Sequence, residues 1–412
     1  MGISTETLKD YLFDQTDLFN PAEPLFVTHL TNDEDHYVEG YVNYIYRVRQ
    51  GDRSYIVKHA KKFIPSAIEL GELNPDRNYL EFMTYKLRAG LSAESVPSIL
   101  FVDRKQHLFI MEDLASMEVL RFYLCHGKQS AILGKKIGNF LANAHYLTSY
   151  LHLDQKRMAS LAFYFENPEM RNIIVDFILQ PPVAKLENPN SFEIALTTIL
   201  KEITQKDRIW DSWLQLINDF SIKQQCLIHG DFHTSNVFVS SDQVKVIDME
   251  YTMMGPFSYD LGYFLANLLS QFASFSVNSD FSAAEQTSMS TYLLRTIKEV
   301  YQSYFERFDQ LHHPADSNKQ RFLTIFQDSL GYLAMANITR TANNGPFPDF
   351  DCISSEKQRF IAKALSLKLS EQILLRRTNL QSVEEFLQLL IQEKEKFLSN
   401  LTCTKLTPSF AL

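Results

Sequence analysis

The 412-residue chain has only four cysteines, Cys125, Cys226, Cys352 and Cys403. They lie far apart, with no CxxC pair and no adjoining histidine cluster, which argues against a structural zinc site or a disulfide framework and fits a reducing compartment. No apolar run approaches the ~18–20 residues that span a bilayer. The longest, Leu261 to Leu269, is about half that and contains Asn267. The first 20 residues carry Glu6, Lys9, Asp10 and Asp14 and lack the basic-then-apolar order of a signal peptide. There is no GxxxxGK[ST], so a Walker-type phosphate loop is excluded. Basic residues are the minority, 40 Lys+Arg against 49 Asp+Glu, a net charge of −9. Nucleic-acid binders display a basic face, so neither nucleic acid nor a membrane is expected as a partner. What remains is an acidic, cytoplasmic, multi-domain globular protein.

Strand signals concentrate near the N-terminus. Residues 5–13 read as a short helix. Gly40 to Val48 and Ser54 to Lys58, rich in Tyr, Val and Ile around Gly51-Asp52, read as a hairpin. A helix is expected over 76–87, then strands at 98–102 and 107–111. Beyond Asp113 the apolar spacing becomes helical, at 129–150, 191–220, 283–310, 317–343, 355–377 and 382–399. One strand-like island, 236–239 with 243–247, interrupts it. The expectation is an α+β fold of two lobes, a β-rich one over 1–113 and a larger, mainly helical one over 114–412, with a ligand cleft between them.

The island carries the chemistry. His229-Gly230-Asp231 is followed by His233 and Asn236, and Asp248 and Glu250 come at the end of the apolar strand VKVI. Phosphoryl transfer needs a carboxylate to orient or deprotonate the attacking hydroxyl, and further oxygen ligands to hold Mg²⁺ on the phosphates. HGDxHxxN followed by a strand and a terminal Asp supplies both. An isolated HGD is most often only a turn. No third His or Cys stands at zinc spacing, so His229 and His233 are read as orienting or structural.

This constellation resembles the catalytic and metal-binding loops of the protein-kinase-like fold, in its aminoglycoside phosphotransferase and choline kinase branch. The resemblance implies ATP and Mg²⁺ as cofactors, Asp231 as catalytic base, and Asn236, Asp248 and Glu250 as metal ligands. It implies that Lys58, ending YIVK, positions phosphates with Glu81 as its ion-pair partner. It places adenine against main-chain groups of Glu112 and Leu114, in the hinge Met111 to Leu114. The loop over the nucleotide corresponds to residues 36–43, which contain one glycine, Gly40, and Asn43.

Further segments resemble one subfamily, the 5-methylthioribose kinases: EGYVN at 39–43, DRNYLE at 76–81, FENPEM at 165–170, DME at 248–250, and Gly255-Pro256 through Asp260 to Ala266-Asn267-Leu268-Leu269. The resemblance runs from about residue 36 to residue 350. It departs at three places. Thr234-Ser235-Asn236 stands for the subfamily's xGS, and Thr339-Arg340 stands for an Arg-Arg pair that reaches the substrate. The tryptophan expected before the DR motif is missing, Trp210 and Trp213 being the only two in the chain. The implied function is phosphorylation of a small sugar, 5-methylthioribose, at O1, with Asp231 and Arg340 on the substrate side. Aminoglycoside, choline or homoserine phosphorylation and a nucleotide-binding pseudokinase are the alternatives. The sparse glycines favour the last, and the complete Asp231/Asn236/Asp248 set opposes it. Oligomeric state is left open, a homodimer included.

Overall fold

The computed structural model describes residues 5–30, 43–62, 72–182, 190–312, 318–342 and 346–403. Gly40 and residues 41–42 of the expected hairpin lie outside the described residues.

The N-terminal part is a five-stranded antiparallel sheet of order β1-β2-β3-β5-β4, formed by β1 (Phe26–His29), β2 (Tyr44–Gln50), β3 (Arg53–His59), β4 (Ile99–Asp103) and β5 (Leu108–Glu112). Gln50 pairs with Arg53 across a two-residue turn, and Gly51 takes φ +56 there, the backbone that tight hairpins use. Side chains alternate between the faces of a strand. Tyr46, Val48, Val57, Leu108 and Ile110 face Leu8 and Leu12 of α1 (Thr5–Gln15). Ile56, Phe109 and Met111 face the other way, into the core shared with Tyr85 of α2 (Arg77–Ser92). Lys58 has the parity of Ile56, so the strand itself delivers it to the α2 side. β1 was not expected from the sequence; four residues with an exposed, half-exposed alternation give little periodicity to read.

From residue 118 onward helices dominate. They are α3 (Leu120–Cys125), α4 (Leu133–Tyr146), α5 (Gln155–Tyr164), α6 (Pro168–Ile174), α7 (Ser191–Thr204), α8 (Asp207–Ile222), α9 (Ser258–Phe275), α10 (Ala283–Leu311), α11 (Lys319–Ala342), α12 (Pro348–Asp351), α13 (Glu356–Arg376) and α14 (Val383–Cys403). The α+β class is as expected. All 18 residues of α9 are buried, which makes it the axis on which α10, α11 and α13 pack. The single helical pattern read over 191–220 is two helices broken at Gln205-Lys206. Leu200 and Ile203 before the break, and Ile209, Trp213 and Leu216 after it, enter one core, so the apolar rhythm crosses it undisturbed. Five short strands lie among the helices: β6 (Glu118–Val119), β7 (Cys226–Ile228), β8 (Val237–Val239), β9 (Val244–Val246) and β10 (Met253–Gly255). β7 pairs with β10, and β8 lies between β6 and β9. They carry the loops of the site. Among the described residues no helix is long and apolar enough to cross a membrane.

Candidate active site

β7 ends at Ile228 and the chain turns sharply. Gly230 holds φ +89, and a Cβ there would meet the Tyr251 carbonyl oxygen at 2.5 Å, so the turn requires glycine. The buried Asp260 carboxylate, at the start of α9, accepts the backbone N–H of His229 at 2.7 Å and of Gly230 at 3.1 Å. Burial holds His229 below the usual histidine range. In its neutral form Nε2–H donates to Ile247 O at 2.9 Å and Nδ1 accepts from Asp231 N at 3.2 Å. The two halves of the motif are thus tied through a ring whose tautomer is fixed by its partners.

Asp231 stands next. His233 Nδ1 accepts from Ser235 N, which leaves Nε2–H for Asp231 Oδ2 at 3.3 Å. The Asn236 amide nitrogen donates to Asp231 O at 2.9 Å and lies 3.4 Å from Oδ2. Burial alone would raise the Asp231 pKa, but His233, His229 and Arg340 together hold it well below the ordinary carboxylate range. Asp231 is therefore an ionised acceptor at neutral pH.

Lys58 Nζ lies 2.8 Å from Glu81 and also contacts Asp248. Burial works against its charge, yet Asp248, Glu81 and Glu250 raise its pKa well above normal, so it is an ammonium. Asp248 adopts the left-handed conformation, φ 63 and ψ 60, which Asp tolerates better than most side chains. Its N–H donates to the Tyr85 hydroxyl at 2.9 Å, and Met249 N donates to Glu81 Oε1 at 3.2 Å. Glu250 accepts from Asn43 Nδ2 at 2.9 Å and faces Arg77 Nε at 3.3 Å. Burial raises the pKa of Glu250, and that of Glu81 to about 8, with nearby carboxylates adding to the rise. Three carboxyl groups are thus crowded around two cations, Lys58 and Arg77.

The hinge is braced by side chains. The Glu112 carboxylate accepts from Lys245 Nζ at 2.8 Å and its N–H donates to Ser98 O at 2.9 Å. Asp113 accepts from Arg47 at 2.8 Å and from Ser54. Leu114 is buried. Arg340 lies in the last turn of α11 with its guanidinium 5.2 Å from the centre of the Phe347 ring. Its charge is among those that depress Asp231.

The fold thus gathers Lys58, Glu81, Asp248, Glu250 and Asn43 in one cluster, Asp231 and Asn236 in another, and brings the charge of Arg340 to bear on Asp231. Sequence reasoning gives no role to four residues that hold them: Arg77, Tyr85, Asn167 and Asp260. Tyr85 follows Glu81 at i+4 on one helix face, a spacing that could have pointed to it. The others sit inside recognisable motifs, but their partners lie far away in sequence.

The family model for the phosphotransferase enzyme family (APH) matches residues 37–293, more than half of the chain. The chain belongs to this family. Curated phosphotransferase relatives include the methylthioribose kinase of Geobacillus sp. (strain WCH70), 28% identical over 86% of this chain and 88% of that one. The methylthioribose kinase of Bacillus thuringiensis (strain Al Hakam) is 28% identical over 82% of this chain and 85% of that one. Similar solved structures include a spectinomycin phosphotransferase in complex with ADP and spectinomycin, with a TM-score of 0.48 and 13% identity over 92% of this chain and 100% of that one. A choline kinase from Cryptosporidium parvum Iowa II has a TM-score of 0.44 and 12% identity, covering 99% of each chain.

Proposed function

We propose that this phosphotransferase transfers the γ-phosphoryl group of ATP to O1 of 5-methylthioribose, yielding the 1-phosphate and ADP. The observation that carries this reading is Asp231, a carboxylate held ionised in a glycine-dependent turn that His229 ties to the strand leading to Asp248, with Asp248 and Glu250 gathered around Lys58. The sugar comes from the curated relatives and from the FENPEM and DME segments. In this reading residues 1–113 form the nucleotide lobe and 114–412 the catalytic lobe. The setting is cytoplasmic.

Asp231 accepts the O1 hydroxyl proton as the O1–Pγ bond forms and the bond from Pγ to the β–γ bridging oxygen breaks. Removing a general base costs ~10²–10⁴-fold in rate. Lys58 holds phosphate oxygens as a charged donor, steadied by Glu81. Main-chain groups of Glu112 and Leu114 bind adenine, and Gly40 and Asn43 belong to the covering loop. Arg340 donates to acceptor oxygens at the far end.

The donor set fits a hard divalent cation. Asn236, Asp248 and Glu250 offer oxygen, the donor atom such a cation takes. On top of burial, the neighbouring carboxyl groups raise the pKa values of Glu81 and Glu250, a crowding such a cation relieves. Among the described residues no group of three or more His, Cys, Asp or Glu is placed to hold a metal ion; Mg²⁺ is ordinarily held by one or two carboxylates plus substrate phosphates. Mg²⁺ held there by Asn236, Asp248 and Glu250 would neutralise charge on the β- and γ-phosphates.

The test is ADP release with Mg·ATP across methylthioribose, ribose, choline, homoserine and an aminoglycoside. Turnover with methylthioribose at least ~10-fold above every other acceptor is expected. Higher kcat/KM for another acceptor replaces the substrate, and nucleotide binding without turnover on any acceptor makes the protein a pseudokinase.

A further inference from the structure

The FENPEM segment has no part in the chemistry above, yet it grips the loop that carries Glu250. Asn167 precedes Pro168, the first residue of α6. Asn followed by Pro at the first helical position is the ordinary signature of a helix cap. The Asn167 side chain makes no cap bond. Its amide nitrogen instead donates to Glu250 O at 2.8 Å and to Thr252 O at 3.3 Å, and the residue is only 9% exposed. A side-chain amide has two N–H donors, and both go to one loop 83 and 85 residues away.

The rest of α6 works to the same end. Arg171 donates to Met254 O at 2.6 Å, just beyond that loop. Glu169 accepts the N–H of Asn74 at 2.9 Å, three residues before Arg77, which faces the Glu250 carboxylate. One short helix thereby holds Glu250 by its main chain directly and steadies the approach to its side-chain partner.

We propose that Asn167 is a positioning residue for the loop Asp248 to Thr252, fixing the direction in which Glu250 presents its carboxylate to a nucleotide-bound divalent cation. The inference rests on the reading of Asp248 and Glu250 as metal ligands.

Asn167→Asp separates this role from capping. Aspartate caps a helix as well as asparagine does, but it has no N–H to donate and sets a carboxylate against two carbonyl oxygens. Hydrogen exchange of amides 248–254 is expected to quicken ~10-fold while α9 keeps its protection. The Mg²⁺ activation constant should rise ~10-fold or more, the usual effect of losing a residue that orients a metal ligand. The acceptor KM should stay within about twofold. Should Asn167→Asp fail to fold, Asn167→Ser, also a good cap, takes its place. Wild-type exchange in 248–254 overturns the proposal. Glu250→Gln is measured alongside. If it moves the Mg²⁺ constant and Asn167→Asp does not, the positioning role is overturned even with faster exchange. If Glu250→Gln leaves the constant unchanged, the metal reading fails by itself, and exchange alone decides Asn167.

Discussion

The carboxylate of Asp260 grips His229 by its main chain: Oδ2 accepts the His229 N–H at 2.7 Å, across 31 residues of sequence. The same group accepts Gly230 N and faces His145 Nε2 at 3.1 Å, wholly buried. Burial pushes its pKa up, but His145, the His229 ring and the His229 N–H bring it below normal. In Asp260→Asn an amide N–H would confront a backbone N–H, leaving a buried donor unpaired. The expected loss is about 2–3 kcal/mol, read by urea denaturation, with kcat reduced as the turn before Asp231 loosens. Wild-type stability and turnover would mean that Asp260 does not support the loop.

Gly230→Ala meets two obstacles, a left-handed backbone and the Tyr251 carbonyl. Gly51 is also left-handed, with nothing within 4 Å of its would-be Cβ. Gly51→Ala should therefore cost only ~1–2 kcal/mol, while Gly230→Ala costs more and also lowers kcat. Equal thermal shifts with intact turnover would show that the turn can relax.

Asp231→Asn and Asp248→Ala should fail in different ways. The first keeps Mg·ATP affinity near wild type and loses ~10²–10⁴ in kcat. The second weakens nucleotide binding together with rate, and raised Mg²⁺ or Mn²⁺ restores part of it. Calorimetric titration of nucleotide with and without metal distinguishes them. An Asp231→Asn enzyme with wild-type kcat would remove the base.

Arg340→Ala tests the substrate end. A guanidinium in a last helical turn is worth ~0.3–1 kcal/mol to the helix in any case. If Arg340 also serves the acceptor, kcat/KM for the sugar falls at least ~10-fold while the ATP KM stays put. A lower Tm with intact acceptor kinetics would confine it to the helix end.

His59 sets an acid limit on stability. Burial, then Lys61 and His107, lower its pKa to about 4. The unfolded chain binds this proton near pH 6.5 and the folded chain only near 4, so stability is full above 6.5 and declines as pH falls between those values. Burial lowers His145 and His229 in the same direction. Tm should drop from pH 7 to pH 4, and His59→Gln should flatten that slope. Parallel curves for both proteins would show that His59 does not contribute.

The chain by itself determined the ingredients. Once YIVKH is a strand, its pleat puts Lys58 on the same face as Ile56, because parity along a strand is a local property. The HGDxHxxN order, with the short strands β8 and β9 between Asn236 and Asp248, set the two carboxylate loops side by side, since a short hairpin must return. Tertiary structure decided what holds them. Asp260 reaches His229, Arg77 reaches Glu250, Tyr85 reaches Asp248 and Asn167 reaches Glu250 across gaps of 31 to 173 residues. No periodicity encodes such pairings: they exist only where packing of α2, α6 and α9 brings buried polar groups together, each needing a partner. The break between α7 and α8 was hidden for the opposite reason, because both helices bury apolar residues in one core. Asn167 shows the limit most plainly: its sequence context specifies a helix cap, and the fold turned its amide to the loop that bears Glu250.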